Sequence, residues 1–60
     1  ALNAREREIA EGVALGKRNR EIAEDVGMTE GSIKVYLHRI YDKLGIENRT
    51  ALAIMMLEHR

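Results

Sequence analysis

Gly16, Gly27 and Gly45 are each followed within three residues by a short polar residue suited to opening a helix: Asn19, Thr29 and Asn48. A glycine just past the last helical turn takes the left-handed conformation without a Cβ clash. A short side-chain oxygen then accepts a bond from the unpaired N–H groups of the next helix. Three such stops divide the chain into four segments, none with the alternation of a strand. They predict an all-α, four-helix domain with helices over 4–15, 20–26, 30–44 and 49–59. Asn3 with Glu6 three positions on reads as a capping box at the first helix.

Sixty residues make one small domain, which buries only about 60% of the surface its unfolded chain exposes. Hydrophobic residues at 45% and charged residues at 33% fit a compact, charge-coated chain rather than a disordered tail. With no Cys, a disulfide or thiolate metal framework is excluded. The longest apolar run, Ala51 to Leu57, falls far short of the ~20 residues that span a bilayer, and nothing resembles a secretion signal. The expected address is the cytoplasm, with no membrane partner. Ala1 stands where an initiating Met would, so the chain is expected to be a domain excised from a larger protein.

Helical periodicity assigns the core. Ile9 and Val13 line the first helix, Ile22, Ala23 and Val26 the second, and Ile33, Leu37, Ile40 and Leu44 the third, widened by Tyr36 and Tyr41. Gly12 lies inside the first helix at a cost of about 1 kcal/mol relative to Ala, which suggests close approach by another helix. The last helix, with "ALAIMML", is apolar all round, so one face needs a partner. Turning Thr50, Ala53, Ile54 and Leu57 inward leaves Ala51, Leu52, Met55 and Met56 for a second copy of the chain.

Gly27-Met28-Thr29 is the short, glycine-containing connection of a helix-turn-helix. On the third helix the side opposite the core stripe carries Gly31, Val35, His38, Arg39 and Asp42, with Lys34 on its flank. A helix entering the DNA major groove needs donors for base edges and an apolar group for the thymine methyl. Val35 among Lys34, His38 and Arg39 supplies that set. Thr29, Gly31 and Ser32 let hydroxyls and backbone approach a phosphate at the positive end of the helix. Ten basic and ten acidic residues cancel, but Lys17, Arg18 and Arg20 form one basic group while Glu21, Glu24, Asp25 and Glu30 gather beside it.

"LNAREREI" and "GKRNREIAEDVGMTEGSIKVYLHRIYDKLGIENRTALA" resemble the LuxR-type (LuxR/GerE) helix-turn-helix domain, the DNA-binding output domain of many bacterial transcription regulators. The most specific pieces are Arg5-Glu6, Gly16 followed by Asn19 and Glu21-Ile22-Ala23, Ser32-Ile33-Lys34-Val35, Lys43-Leu44-Gly45 and Asn48-Arg49-Thr50. The resemblance implies that Lys34, Val35 and His38 face base edges of double-stranded DNA, with Arg39 beside them. It also implies that Asn19, Arg20, Thr29 and Ser32 lie near phosphates; charge and location add Lys17, Arg18 and Lys43. A homodimer through the fourth helix on inverted-repeat sites is expected, with RNA polymerase as partner at the promoter, as in a response regulator. The family usually has Pro where Ala4 stands, a larger apolar residue at Ala10, Ser or Thr at Arg18, and His at Tyr36.

Other functions fit less well. Ser32 is the only serine, and His38 and His59 fall on separate helices, so no catalytic residue, metal site or cofactor is expected. A sigma-factor-like promoter-recognition domain shares the tri-helical core but not the extra "GIENRTALAIMML" segment. A protein-interaction module using the apolar fourth helix is the remaining alternative.

Overall fold

A computed structural model describes residues 1–59. Among them the chain forms α1 (Ala4–Ala14), α2 (Asn19–Val26), α3 (Glu30–Leu44) and α4 (Arg49–Glu58), with no strand. The expected boundaries hold to one residue. Gly16, Gly27 and Gly45 all have positive φ, at 78°, 72° and 68°. At Gly27 the backbone N–H groups of Gly27 and Met28 both reach the Ala23 carbonyl, which closes α2 and turns the chain toward α3.

Side chains open three of the helices as the sequence predicts. Asn3 Oδ1 accepts from the Glu6 N–H and Glu6 Oε1 accepts from the Asn3 N–H, both at 2.9 Å, a complete capping box. Thr29 Oγ1 accepts from the Ser32 N–H at 3.1 Å, and Asn48 Oδ1 from the Ala51 N–H at 2.8 Å. The second helix departs from expectation. Its cap position is Arg18, whose guanidinium has no acceptor, and only the Glu21 carboxylate, taking the Arg18 N–H at 3.0 Å, secures the turn. Asn19 is the first helical residue instead, and its side chain is used elsewhere.

The core gathers Ile9, Ala10 and Val13 from α1, Ile22 and Ala23 from α2, Ile33, Leu37 and Ile40 from α3, and Leu52 from α4. Each buried branched side chain is worth roughly 1.5–3 kcal/mol before chain entropy is set against it. α1 packs on all three other helices and α2 on α3, so α1 is the shared support. Val26, Leu44, Tyr36 and Tyr41 are half-buried at the margin rather than central. The reason for Gly12 is visible: a Cβ there would lie 2.8 Å from Ile22 Cγ1, so α1 and α2 approach too closely for any side chain.

The inward stripe of α4 is shifted by one residue from the expected one, and of the four residues expected inward Ala53 alone packs on the core. Leu52 is 0% exposed and Met56 and Ala53 pack on the core, whereas Ile54 and Leu57 are 51% and 54% exposed and Thr50 is also outward. Leu52 is therefore unavailable to an outer contact face, and Ala51, Met55 and Met56 are only half-exposed. Arg49 lies on the same inward side: its guanidinium is held by Lys17 and Asn19 between α1 and α2, and residues 49, 52, 53 and 56 share one stripe of the helix.

One carboxylate sits inside. The Glu6 side chain is 3% exposed and accepts from Lys43 Nζ at 2.8 Å, linking α1 to the last turn of α3. The Lys43 bond first, then the Asn3 N–H, hold its carboxyl below the ordinary carboxylate value; burial opposes them and loses.

Candidate nucleic-acid interface

The face of α3 turned from the core is open to solvent. Val35 is 52% exposed, and Lys34, His38, Arg39 and Asp42 are all exposed around it. Two of these side chains have aromatic neighbours. The Arg39 guanidinium lies 5.5 Å from the centroid of the Tyr36 ring, a cation–π contact that keeps it along the helix. The His38 ring meets Tyr41 edge-on, with centroids 6.2 Å apart at 74°. Thr29, Gly31, Ser32, Val35, Tyr36 and Arg39 line a shallow groove along this face. Donors and one apolar branch thus share a surface that a duplex can reach.

At the start of α3 the Thr29 hydroxyl donates to Ser32 Oγ at 3.0 Å while its oxygen caps the helix. Thr29 is therefore occupied locally, and the Ser32 hydroxyl proton is left to donate outward. A Cβ on Gly31 would meet nothing closer than Thr29 Oγ1 at 3.9 Å, so a phosphate can come close to the first-turn backbone.

The loop between α1 and α2 and the first turn of α2 bring Lys17, Arg18, Asn19 and Arg20 together, but their roles divide. Lys17 Nζ is paired with Asp25 Oδ2 at 2.6 Å, and that bond raises the ammonium's pKa. Arg20 stands 4.0 Å from Glu24, a pair so exposed that it holds the guanidinium weakly. Arg18 is exposed and makes no side-chain bond among the described residues. Asn19 Oδ1 accepts from Arg49 Nη1 at 2.6 Å, leaving its amide N–H₂ as the available donor. Lys43 donates to the buried Glu6 on α1 while its side chain stays 44% exposed, so its ammonium is engaged in the fold in the way that of Lys17 is.

Arg49 is the residue that sequence reasoning missed. Besides Asn19, its Nη2 donates to the Lys17 carbonyl at 2.5 Å. The available signal was electrostatic, since a cation in the first turn of a helix opposes the dipole and calls for a partner elsewhere. The Tyr36 contact with Arg39 is likewise invisible in a motif that usually has His at that position.

A three-residue glycine turn between two helices, with the second presenting donors and an apolar branch to solvent, defines a helix-turn-helix module built to read a duplex. The chain belongs to the luxR family of bacterial regulatory proteins, whose family model matches residues 1–56. It is accordingly a DNA-binding domain of the transcription-regulator class and not an enzyme. It is 32% identical over 59 residues to the probable transcriptional regulatory protein NarL of Mycobacterium tuberculosis. It is 41% identical over 56 residues to the probable transcriptional regulatory protein SgaR of Hyphomicrobium methylovorum, and 38% over 56 to the putative HTH-type transcriptional regulator YhjB of Escherichia coli. These alignments take in 98%, 93% and 93% of this chain but only 27%, 26% and 28% of the relatives, so the chain spans about a quarter of their length.

Proposed function

We propose that this chain is the sequence-reading output domain of a cytoplasmic bacterial transcription regulator, with α3 lying in the major groove of its operator. Lys34, Val35, His38 and Arg39 face base edges. Arg18, Asn19, Arg20, Ser32 and the first-turn backbone of α3 meet phosphates, with Thr29 ordering that turn and Lys17 in reserve behind Asp25. The observation that carries this reading is Val35, an apolar branch 52% exposed at the centre of a cationic face and opposite the core stripe.

A single short helix reads too few base pairs for a genome, and a neutral monomer gains little from phosphates. Both needs are met by a homodimer on inverted half-sites about 10–10.5 base pairs apart. The face of α4 available for it is Thr50, Ile54 and Leu57, with Ala51 and Met55 at its border, and RNA polymerase is the partner reached from the bound site.

Selecting bound duplexes from a random pool and sequencing them tests the reading. Enrichment of an inverted repeat is expected, and recovery of the pool without enrichment, or no duplex retained in dilute buffer, overturns it.

A further inference from the structure

Arg49 lies on α4, away from the groove-facing side of α3, yet its guanidinium is spent on the α1–α2 loop rather than on α4 itself. Its two bonds, to Asn19 Oδ1 at 2.6 Å and to the Lys17 carbonyl at 2.5 Å, span 30 and 32 positions of the chain. They seize the residues on either side of Arg18, whose side chain has no acceptor to cap α2 and makes no bond among the described residues, its backbone N–H alone being taken by Glu21. Gly16, Lys17, Arg18, Asn19 and Arg49 line one shallow recess. The loop has no other fastening to α4 among the described hydrogen bonds. Lys17 and the start of α2, already held locally by Asp25 and Glu21, are thus tied to α4 by one planar, two-pronged donor.

We propose that Arg49 is a positioning residue for DNA binding: from α4 it fixes the α1–α2 loop so that Arg18 and the first turn of α2 are presented to the phosphate backbone already ordered. Arg49 shares the inward side of α4 with Leu52, while Ile54 and Leu57 face out. This inference rests on the DNA-binding reading above. An ordered loop loses less freedom when it binds than a mobile one, so the effect falls on affinity. Lysine cannot replace Arg49 here, since it keeps the charge but not the fixed fork that reaches both acceptors.

The test uses the whole 60-residue chain, with Arg49→Lys, Arg18→Ala and the double variant, and a fluorescent mixed-sequence duplex titrated over a range of salt at a temperature where circular dichroism shows every variant folded. Arg49→Lys is expected to weaken binding about fivefold to twentyfold, and its loss should shrink when Arg18 is already Ala, the non-additivity of residues that act together. Faster hydrogen exchange at the amides of residues 17–20 should accompany it. Affinity equal to wild type in Arg49→Lys, or a full and additive loss in the Arg18→Ala background, overturns the inference and leaves the DNA reading intact. If Arg49→Lys does not fold, Arg49→Gln, which keeps one donor, takes its place with the same outcomes. A wild-type chain that retains no duplex at low salt ends both.

Discussion

Lys43 Nζ on α3 donates to Glu6 Oε1 on α1 at 2.8 Å, joining the end of the third helix to a carboxylate whose side chain is 3% exposed. The pair fixes how α3 leans on α1. A carboxyl whose folded pKa lies below its unfolded one stabilises the folded chain above the unfolded value, and the contribution fades as pH falls through the folded value. Glu6 is lowered in this way from an ordinary 4.5. Glu6→Gln should therefore be less stable than wild type at pH 7, with the gap narrowing as pH falls below about 4.5. Urea unfolding of both at pH 7 and pH 3 checks this; a gap of constant size would mean that the charge on Glu6 contributes nothing.

Gly12→Ala sets helix propensity against packing. Alanine gains about 1 kcal/mol in a helix interior, but its Cβ would stand 2.8 Å from Cγ1 of Ile22, a side chain with 1% exposure. Overpacking of this kind costs about 1–3 kcal/mol. With the Ile22 side chain obliged to shift, the net expectation is a loss of about 1 kcal/mol, or roughly 4–8 °C in Tm for a domain of this size. Adding Ile22→Ala should make the Gly12→Ala step favourable, and thermal melts of the four proteins read the cycle.

The two sides of α4 should answer substitution differently. Leu52→Ala empties a fully buried site and is expected to cost about 2–5 kcal/mol, against a total on the order of 3–9 kcal/mol for a chain this long. Ile54→Ser removes an exposed branch and should change monomer stability by about 0.5 kcal/mol or less, while weakening pairing of two copies on an inverted repeat. Sedimentation with and without the duplex separates these outcomes. Normal pairing in an Ile54→Ser, Leu57→Ser double variant would place the dimer contact elsewhere.

Base readout predicts a selective loss. Lys34→Ala or Val35→Ala should cost about 1–3 kcal/mol at the preferred site and relax base preference there. Binding to unrelated duplex should change little for Val35→Ala, which carries no charge. Competition titrations with preferred and unrelated duplexes give both numbers. An equal loss on the two duplexes would make these residues general anchors.

Helix limits were legible in the chain because glycine stops and side-chain caps act over a few residues. The outward set on α3 was legible because Ile33, Leu37 and Ile40 occupy one stripe and leave no doubt about the other. Neither condition held for α4. "ALAIMML" offers apolar groups in every direction, so hydrophobicity could not choose its phase, and the contacts of Arg49 on the inward side are formed only in the fold. Lys43 shows the same limit, since charge marks it as a phosphate ligand while only the fold brings Glu6 beneath it. At Asn19 residue type suggested a cap, and the loop length after Gly16 shifted that duty to Arg18.

Equal numbers of acidic and basic groups leave the domain without net charge, and two of the acids, Asp25 and Glu24, stand beside Lys17 and Arg20. On the proposed DNA reading such a domain gains little from phosphates met in an arbitrary pose. The expected consequence is short residence on unrelated duplex, with many brief visits rather than long sliding.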